Sequence, residues 1–403
     1  MMWEKVKLGD IATFSNGINF NKTAYAKGIK LIGVSNFGDR FYPDYSQLQE
    51  VKKDIVRLED CLRNGDIVFV RSNGNKELVG RCMLVKNPTE RVTYSGFCIR
   101  ARLNDTDRYD PVYFTYYFKS KAFRRAVSGT AVGANIQNLS QARLSNHECR
   151  IPSIEVQHRI ADILSAYDNL IENNQRQIKL LEEAAQRLYK EWFVDLRFPG
   201  HENTKIVDGV PEGWSKSTVS EVSAVLRRGI SPKYNENARG IVINQKCIRQ
   251  TIVSYDEART QEKKYPAELE LKEADIAICS TGAGTLGRVG QIYEVRENTT
   301  LDSHVTLIRA NEKIGQQYLF WSLKMQQDYL MSAGKGSTNQ LELSRETIGN
   351  CKILIPEQKI AEQAEKNFVA IHNKMKECSM QIARLREARD LLLPKLMSGE
   401  VEV

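Results

Sequence analysis

A heptad-like apolar run occurs twice in this chain of 403 residues, and it restricts the possible folds more than any other feature. The first run extends from Ile151 to about Phe193, and the second from Ile355 to about Met397. Each alternates steps of four and three residues, which keeps one helix face against a partner helix. The stripe positions are Ile160, Leu164, Tyr167, Ile171, Asn174, Ile178, Leu181, Ala185, Leu188 and Trp192, then Ala364, Phe368, Ile371, Met375, Cys378, Ile382, Leu385, Arg389 and Leu392. The spacing predicts two long helices that bury these stripes against each other as a coiled coil.

Two stripe positions are polar and bear on how the helices pair. Asn174 is typical of a register-setting residue, which costs stability but selects one pairing. Arg389 is the charged exception in the second stripe. A lone heptad run would serve any dimer equally well. Because each run follows its own globular half, we expect the two runs to pair with each other.

The runs belong to a longer internal repeat with an offset of about 204 residues. This offset superposes Leu139-Ser140 on Leu343-Ser344, Ile151-Pro152 on Ile355-Pro356, and Gln177-Ile178 on Gln381-Ile382. Further anchors match in order: Trp214 with Trp3, Asp275-Ile276-Ala277-Ile278 with Asp66-Ile67-Val68-Phe69, and Leu286-Gly287-Arg288 with Val79-Gly80-Arg81. Between the anchors the halves differ, as in Arg227-Arg228-Gly229 against Ser15-Asn16-Gly17. The pattern predicts one scaffold presenting two different surfaces.

Each half has the pattern of a mixed α/β (α+β) unit. In the first half we predict strands at Lys30–Val34, Asp66–Val70 and Arg81–Val85 and a helix at Tyr113–Val127. The predicted domain limits are 1–152 for the first globular half, 153–197 for the first helix, 198–210 for a turn-rich linker, 211–356 for the second half, and 357–403 for the second helix and tail. The fold class is therefore a tandem duplicate in which each globular domain precedes a long helix.

Charge, cysteines and hydropathy narrow the class of protein. The net charge of +8 and the pI near 8.9 favour an anionic partner, although only weakly in a chain of this size. The eight cysteines are scattered, without CxxC or zinc-site spacing, and are interpreted as reduced buried thiols. No apolar run approaches the ~20 residues that a membrane span requires. We expect a soluble protein of the cytoplasm.

Two glycine-rich segments resemble nucleotide sites and are interpreted otherwise. Gly282 to Gly287 spells GxGxxG after an apolar strand, but a Rossmann site needs a helix starting inside the glycines. Here Arg288–Tyr293 has the pattern of a second strand, so we predict a hairpin turn. Gly334–Thr338 lacks the first glycine of a phosphate loop and is predicted to be a basic, hydroxyl-rich loop.

The sequence contains few groups with the spacing of an active site. The histidines are far apart in sequence, without neighbouring carboxylates that would mark a base or a ligand set, and each is predicted to be structural or solvated: His147, His158, His201, His304 and His372. No methyltransferase NPPY-like run and no Glu-x-Lys nuclease core is evident. We therefore predict no catalytic residue, no metal site and no cofactor bound by this chain.

Polar loops beside basic residues remain, and they occur at equivalent positions in the two halves. Arg and Lys can bond guanine O6 and N7, and Asn and Gln can bond adenine N6 and N7, at ~1–3 kcal/mol per good pair. Other basic groups would hold phosphates without reading sequence. The candidate DNA-binding residues are Asn16, Arg71, Ser72, Asn73, Lys76, Arg81, Thr130, Asn135 and Gln137, then Arg227, Arg228, Thr281, Arg288, Lys335, Thr338, Asn339 and Gln340. The alternative is that these loops are ordinary solvated turns.

Several short segments, repeated in order, resemble the specificity subunit of type I restriction-modification enzymes. The resemblance covers nearly the whole chain. It rests on Leu8-Gly9-Asp10-Ile11, Gly65 to Phe69 with Gly80-Arg81, Leu139-Ser140 to Ile151-Pro152, Glu155 to Ala161, Pro356 to Ala361, and the closing Leu393 to Glu400. Two departures are present: the second helix opens one or two residues shorter than the first, and the second glycine loop is richer.

The resemblance implies a function that the residues alone do not. Such subunits carry two target-recognition domains joined by two helices that pair antiparallel, which gives a pseudo-twofold chain. Each domain reads half of a split site in double-stranded DNA, and the helices set the gap. Two methyltransferase (modification) subunits dock, and restriction (translocase/nuclease) subunits join. The partners use S-adenosylmethionine, ATP and Mg²⁺, whereas the specificity subunit does no chemistry.

The helix length agrees with that role. A helix of about 40 residues spans ~60 Å, enough to hold two reading surfaces a DNA turn of ~34–36 Å apart. Two alternatives remain at this point: a coiled-coil scaffold without DNA specificity, or a stand-alone DNA methyltransferase or nuclease.

Overall fold

The computed structural model describes residues 3–38, 40–73, 78–128, 138–282, 284–334 and 341–403. The strands are β1 (Glu4–Lys7), β2 (Ala12–Asn16), β3 (Tyr25–Ile32), β4 (Gln49–Val51), β5 (Ile67–Val70), β6 (Cys82–Leu84), β7 (Val92–Tyr94), β8 (Cys98–Leu103), β9 (Glu148–Ile151), β10 (Ile206–Val207), β11 (Val210–Pro211), β12 (Ser215–Thr218), β13 (Ser223–Arg228), β14 (Gly240–Ile243), β15 (Arg259–Gln261), β16 (Ile276–Cys279), β17 (Val289–Gln291), β18 (Thr299–Leu301), β19 (Val305–Ala310) and β20 (Lys352–Ile355). The helices are α1 (Leu8–Ile11), α2 (Pro111–Lys119), α3 (Lys121–Ser128), α4 (Gln141–Ser145), α5 (Ile154–Tyr189), α6 (Val219–Val222), α7 (Gln316–Met325), α8 (Gln327–Ser332), α9 (Arg345–Gly349) and α10 (Gln358–Ser398).

The two globular halves have the same strand order, which confirms the tandem duplication. In the first half the sheets run β2-β8-β5-β6 and β4-β3-β7, with β1 paired to β9. In the second half they run β13-β19-β16-β17 and β15-β14-β18, with β12 paired to β20. Each three-stranded sheet has one antiparallel and one parallel pairing. The fold is therefore mixed α/β.

The predicted strands are present, but the predicted helix at 113–127 is wrong in one respect. It is two helices, α2 and α3, separated at Ser120 in an extended conformation with ψ 143°. Asp110 caps α2 by accepting from the Tyr113 N–H at 2.7 Å, and Pro111 fits the first helical position. The Ser120 hydroxyl in turn accepts from the Phe123 N–H at 3.2 Å. This serine therefore ends one helix and starts the next.

The chain forms two compact units, and each long helix contributes a part to both. Unit 1 is 1–173 with 382–403, and unit 2 is 174–381. The core of unit 1 contains an aromatic cluster of Phe69, Phe118 and Phe123 between β5 and α2–α3. The core of unit 2 places Tyr318, Phe320 and Trp321 of α7 in the corresponding role.

A buried ion pair recurs in each globular half and joins equivalent strands. In unit 1 Arg102 donates to both oxygens of Asp66, each at 2.7 Å, and Asp66 is 1% exposed. In unit 2 Arg309 donates to both oxygens of Asp275, at 2.7 and 2.6 Å. Each carboxylate also accepts a backbone N–H three residues upstream. Because the buried charges are paired and hydrogen-bonded, they fix the start of β5 and β16.

The long helices begin at equivalent positions. Ile154 and Gln358 are separated by the repeat offset, so the shorter opening expected for the second helix is not observed. A π-helical turn, Lys190–Val194, extends α5. Of the nineteen stripe positions, all are buried or half-buried, Asn174 being 6% exposed.

Within each unit the two helices contact each other along the stripe. In unit 1 Arg389 of α10 forms an ion pair with Asp168 of α5, which explains the charged exception in the stripe. In unit 2 the Cys378 thiol donates to Gln177 at 3.5 Å, and Ala364 and Phe368 share a core with Ala185 and Tyr189. Residue numbers thus rise on one helix as they fall on the other, so the pairing in unit 2 is antiparallel.

Polar side chains anchor each helix start to the neighbouring short helix. The buried Gln157 side chain accepts from the Asp110 N–H at 3.0 Å and donates to two carbonyls at 3.0 and 3.1 Å. In unit 2 Glu365 accepts from the N–H groups of Gln317 and Tyr318 at 3.0 and 2.8 Å. Burial raises the pKa of Glu365, and these two bonds oppose the shift. Among the described residues, no helix is long and apolar enough to cross a membrane.

Candidate nucleic-acid interface

Two of the predicted polar loops of the first half meet at one place. Ser72, just after β5, forms a β-bridge with Asn138, and the Leu139 N–H donates to the Arg71 carbonyl at 2.8 Å. The turn between β7 and β8 adjoins them, since the Arg71 N–H donates to the Phe97 carbonyl at 2.8 Å. The loops therefore form one surface, the first reading surface, made of the end of β2, the 71–73 segment, the 95–97 turn and Asn138.

The second half repeats these bonds at equivalent residues. Thr281 bridges Glu342, and the Leu343 N–H donates to the Ser280 carbonyl at 2.8 Å. The Ser280 N–H donates to the His304 carbonyl, also at 2.8 Å. The second reading surface is thus the end of β13, the 280–282 segment, the 302–304 turn and Glu342. The described residues that flank the predicted loops are therefore adjacent in each half.

An arginine holds the same turn in both surfaces, but it comes from different strands. In the first, the Arg71 guanidinium donates to the Gly96 carbonyl at 3.2 Å. In the second, Arg228 at the end of β13 donates to the equivalent Ser303 carbonyl at 3.3 Å, and to the Leu343 carbonyl at 2.9 Å. Arg228 also pairs with Glu342 at 2.7 Å. Arg228 is therefore held by the protein on several sides and positions the loop.

Close backbone approach requires glycine beside each turn. A Cβ on Gly17 would lie 2.2 Å from the Tyr94 carbonyl oxygen, and a Cβ on Gly229 would lie 2.1 Å from that of Leu301. Both contacts are far below van der Waals distance, so no other residue fits without moving the backbone. The two reading surfaces share this constraint although their side chains differ.

The remaining predicted DNA-binding residues have varied environments. Asn16 is exposed at the end of β2, paired in register with Ile99. Arg81 lies beyond the turn after β5 and donates to the Gly38 carbonyl at 3.1 Å. Arg227 forms an ion pair with Glu268. Among the described residues, the half-buried Arg288 forms no side-chain hydrogen bond or ion pair.

Thr281 contacts a residue that the sequence interpretation did not assign to DNA. Its hydroxyl lies 2.6 Å from Nδ1 of His304, which is exposed at the tip of the 302–304 turn. Burial raises the pKa of the adjacent Asp302, and the His304 N–H bond to its carboxylate at 2.9 Å opposes that shift. Asn73 is half-buried in the first surface.

Some predicted residues lie outside the described part of the chain. These are Lys76, Thr130, Asn135 and Gln137 in the first half and Lys335, Thr338, Asn339 and Gln340 in the second. Their assignment to DNA binding stays a prediction. Most of the predicted basic loop at 334–338 also lies outside the described residues.

Sequence reasoning missed two side chains at the tips of the turns. Phe97 is 63% exposed in the first surface, and His304 occupies the equivalent position in the second. The equivalence of the two turns was visible in the sequence, since Ser95-Gly96-Phe97 and Asp302-Ser303-His304 occupy the same place between matching strands. An aromatic residue in a short turn gives no sign from sequence of whether it is buried or exposed.

The glycine-rich segment is a turn between antiparallel strands, β16 and β17, as predicted. Gly287 has φ +75°, and a Cβ there would lie 2.4 Å from the Met331 nitrogen of α8. Glycine is therefore required at position 287 both for close packing against α8 and for the left-handed backbone conformation. The equivalent Gly80 also has a positive φ, +81°.

Histidines and cysteines supply little chemistry. Contrary to the sequence interpretation, three histidines have a nearby carboxylate: His158 lies 3.4 Å from Asp110, His201 3.4 Å from Glu202, and His372 3.6 Å from Glu273. Within the ranges that the structure covers, no cluster of three potential metal ligands occurs.

All eight cysteines are free and buried, as predicted. Burial raises the pKa of Cys98 to about 12, so its reactive thiolate is suppressed.

Comparison with known proteins points to one family. Residues 2–183 match the family model described as the type I restriction modification DNA specificity domain. The HindI specificity subunit of Haemophilus influenzae is 25% identical over 99% of both chains. The MjaIX specificity subunit of Methanocaldococcus jannaschii is 27% identical over 81% of this chain and 76% of that protein. The crystal structure of the S subunit from M. genitalium aligns with a TM-score of 0.58 at 18% identity, covering 98% of this chain and 96% of that chain, which supports the fold.

Proposed function

We propose that this chain, as a member of the type I restriction-modification DNA specificity family, is the subunit that recognises the DNA sequence for its enzyme complex. Its two reading surfaces would each contact one part of a bipartite site in double-stranded DNA. Because the surfaces carry different side chains on the same framework, the two parts of the site would differ. The site would therefore be asymmetric.

One observation carries the proposal: equivalent loops meet at equivalent places in the two halves. The Ser72–Asn138 and Thr281–Glu342 bridges bring together segments that are far apart in sequence. A protein that served only as a scaffold would not need two surfaces with the same backbone and different side chains at the tips of the turns. Polar and basic side chains on a fixed backbone suit base-edge and phosphate contacts.

The helices would set the gap between the two parts of the site and dock the partners. We propose two modification subunits, which methylate adenine at N6, and restriction subunits that complete an ATP-dependent nuclease. S-adenosylmethionine, ATP and Mg²⁺ would be bound by those partners and not by this chain. We propose that the complex acts in the cytoplasm, where it would meet DNA.

We propose further that the chain is not catalytic by itself. The support is the character of the reading surfaces, where Arg228 is bound to protein carbonyls and Thr281 to His304 rather than arranged around a reacting atom. The competing function is a stand-alone methyltransferase or nuclease. Binding of S-adenosylmethionine by the isolated chain, measured by calorimetry, would favour that alternative.

The decisive experiment is base-modification sequencing of the host genome with and without this gene. We expect an N6-methyladenine motif of two defined parts with a fixed gap, which disappears on deletion and returns on complementation. As a matched control, complementation with Lys179→Ala, which alters an exposed side chain on α5, should restore the same motif. If purified partners and this chain methylate DNA without any motif, the recognition function is excluded.

A coiled-coil scaffold without DNA specificity gives a different result. Such a protein would assemble with its partners, but the complex would shift the mobility of a DNA containing the motif no more than that of a scrambled DNA. The comparison should be made at two salt concentrations, since phosphate contacts alone bind any sequence and weaken steeply with salt.

A further inference from the structure

We infer that Phe97 is a specificity-determining residue of the first reading surface and that its ring contacts the C5-methyl group of a thymine. The inference rests on the proposed DNA-recognition function and extends it to a chemical class of base. It begins with an exposure that protein folding does not explain. Phe97 is 63% exposed, although its neighbours Ser95 and Cys98 are buried.

The backbone that carries this ring is held firmly on several sides. The Phe97 carbonyl accepts the Arg71 and Ser72 N–H groups at 2.8 and 3.3 Å. The Gly96 carbonyl accepts the Arg71 guanidinium at 3.2 Å, and the Gly96 N–H donates to the Ile18 carbonyl at 2.7 Å. The turn is thus fixed by its main chain, and the phenyl ring is presented to solvent in advance of binding. Preorganisation of this kind lowers the ordering cost of recognition.

The second reading surface provides an internal comparison at the same position. His304 occupies the place of Phe97, and the Ser280 N–H bond to its carbonyl repeats the Arg71 bond. Its ring is bonded through Nδ1 to Thr281 at 2.6 Å. The two turns therefore have one backbone design, with an apolar tip in the first half and a hydrogen-bonding tip in the second. The tips distinguish the chemistry of the two reading surfaces.

Among the groups exposed in the DNA grooves, the thymine methyl is the apolar one that suits a phenyl ring. Asn16 strengthens the assignment, because it is exposed and lies beside the same turn. The next residue in the chain, Gly17, donates its N–H to the Cys98 carbonyl at 3.2 Å. Asparagine pairs with adenine N6 and N7 in the major groove. An A·T pair presents both the adenine edge and the thymine methyl there, so the two side chains suit A·T-containing sequence.

The test is a uracil scan with the complete complex of this chain and its modification subunits. Each thymine in the part of the motif assigned to residues 1–150 is replaced singly by uracil, which removes only the methyl group. For the wild-type complex we expect binding to weaken about fourfold at one position, the value of one buried methyl-sized group. For Phe97→Ala, we expect thymine and uracil at that position to bind equally well.

Two further variants make the readout specific. Phe97→Leu retains an apolar side chain and should keep part of the thymine preference. His304→Ala changes the equivalent tip of the other surface and should leave the preference unchanged. Because Phe97 is exposed, Phe97→Ala should fold normally, which circular dichroism of the purified chain can verify.

Several outcomes would overturn the inference while leaving the proposed function intact. One is a defined motif whose first part lacks thymine or tolerates uracil everywhere. Another is equal weakening of thymine and uracil DNA by Phe97→Ala, as expected if the ring is a wedge between base pairs. If the complex recognises no defined motif at all, the proposed function fails, and the inference fails with it.

Discussion

The two globular halves use the same main-chain bonds to hold reading surfaces whose side chains differ. The Leu139 N–H bond to Arg71 and the Leu343 N–H bond to Ser280 are both 2.8 Å long. The buried pairs of Asp66 and Asp275 likewise repeat in detail. Since main-chain bonds hold these surfaces together with the Arg71 and Arg228 side chains, the other side chains can change without loss of the fold. Framework and specificity are therefore physically separable here.

The long helices show the opposite relation. Here the residues that hold the two helices together are the ones that differ between the repeats. Asp168 of α5 accepts from the Tyr116 hydroxyl at 2.6 Å and pairs with Arg389 of α10. At the equivalent positions, His372 replaces Asp168 and Ala185 replaces Arg389. If α5 paired with α5 of a second copy, Asp168 would face Ala185 and lose its cation. The asymmetry thus favours pairing of unlike helices.

The largest expected effect comes from exchanging residues 1–150 for those of a type I specificity subunit that this chain resembles. Because the first reading surface lies wholly within this segment, one part of the DNA motif should change completely and the other should stay the same. Several mismatched base pairs together correspond to a loss of about a thousandfold in binding to the original site. Methylation mapping gives the result directly, and a change in both parts would contradict the separation of the halves.

The repeated buried pair can be broken in one half at a time. Asp66→Ala should lower the free energy of unfolding by ~3–5 kcal/mol, because Arg102 is left without its carboxylate. Asp275→Ala should do the same in unit 2. Calorimetry with limited proteolysis should show that each variant affects mainly the transition of its own unit. Glu148→Ala, which breaks an exposed pair with Lys5, is the control and should leave the free energy of unfolding nearly unchanged. Similar losses for all three variants would disprove a special role for the buried pair.

A smaller effect is expected where the helices differ. Asp168→Ala should destabilise unit 1 by ~2 kcal/mol, since Arg389 and the Tyr116 hydroxyl both lose a partner. The double variant with Arg389→Ala should cost less than the sum of the single variants. Chemical denaturation measures all three, and strict additivity would show that the pair is not coupled. Glu377→Ala, at an exposed pair on α10, serves as the control.

The smallest expected effect is a pH dependence of the stability of unit 2, caused by His372, which occupies the position equivalent to Asp168. The His372 ring is 4% exposed, stacks on Tyr293 at 4.2 Å and lies 3.0 Å from Gln291. Burial lowers its pKa below the usual 6.5, while Glu273 partly opposes the shift. The unfolded chain therefore takes up the proton first as the pH falls through 6.5, and unit 2 loses stability.

The matching control for this pH dependence is in unit 1. Burial also lowers the pKa of His147, which should give unit 1 a slope of the same sign. His372→Gln should flatten the pH dependence of the unit 2 transition and leave that of unit 1 unchanged. Thermal unfolding between pH 5 and 8 tests this, and an unaltered unit 2 slope would show that His372 is not the titrating group.

Periodic and repeated features were predictable from the sequence, whereas partners across long separations were not. The four-three spacing identified stripe positions that are all buried or half-buried, and the repeat identified β5 and β16. Arg389 was visible as an exception, but its partner Asp168 is 221 residues away. The break at Ser120 was missed because Phe118 and Phe123 on either side continue an apolar pattern.

The candidate site was predictable at the level of loops rather than of single residues. Equivalent spacing identified the segments after β5 and β16, and among the described residues Ser72 bridges Asn138 and Thr281 bridges Glu342. It could not indicate that Arg228 would be bound by the Leu343 and Ser303 carbonyls, or that Phe97 would be exposed. Those properties depend on tertiary packing around one turn.

The pairing of β1 with β9, and of β12 with β20, has a consequence for inheritance. Glu4 lies opposite Ile151, and Ser215 lies opposite Ile355, so each globular half begins and ends at the same point. A segment whose two ends meet can be replaced by another of different length without moving the helix that follows. If the proposed function holds, two crossovers in the gene, one near each end of such a segment, would change one part of the recognised site in a single step.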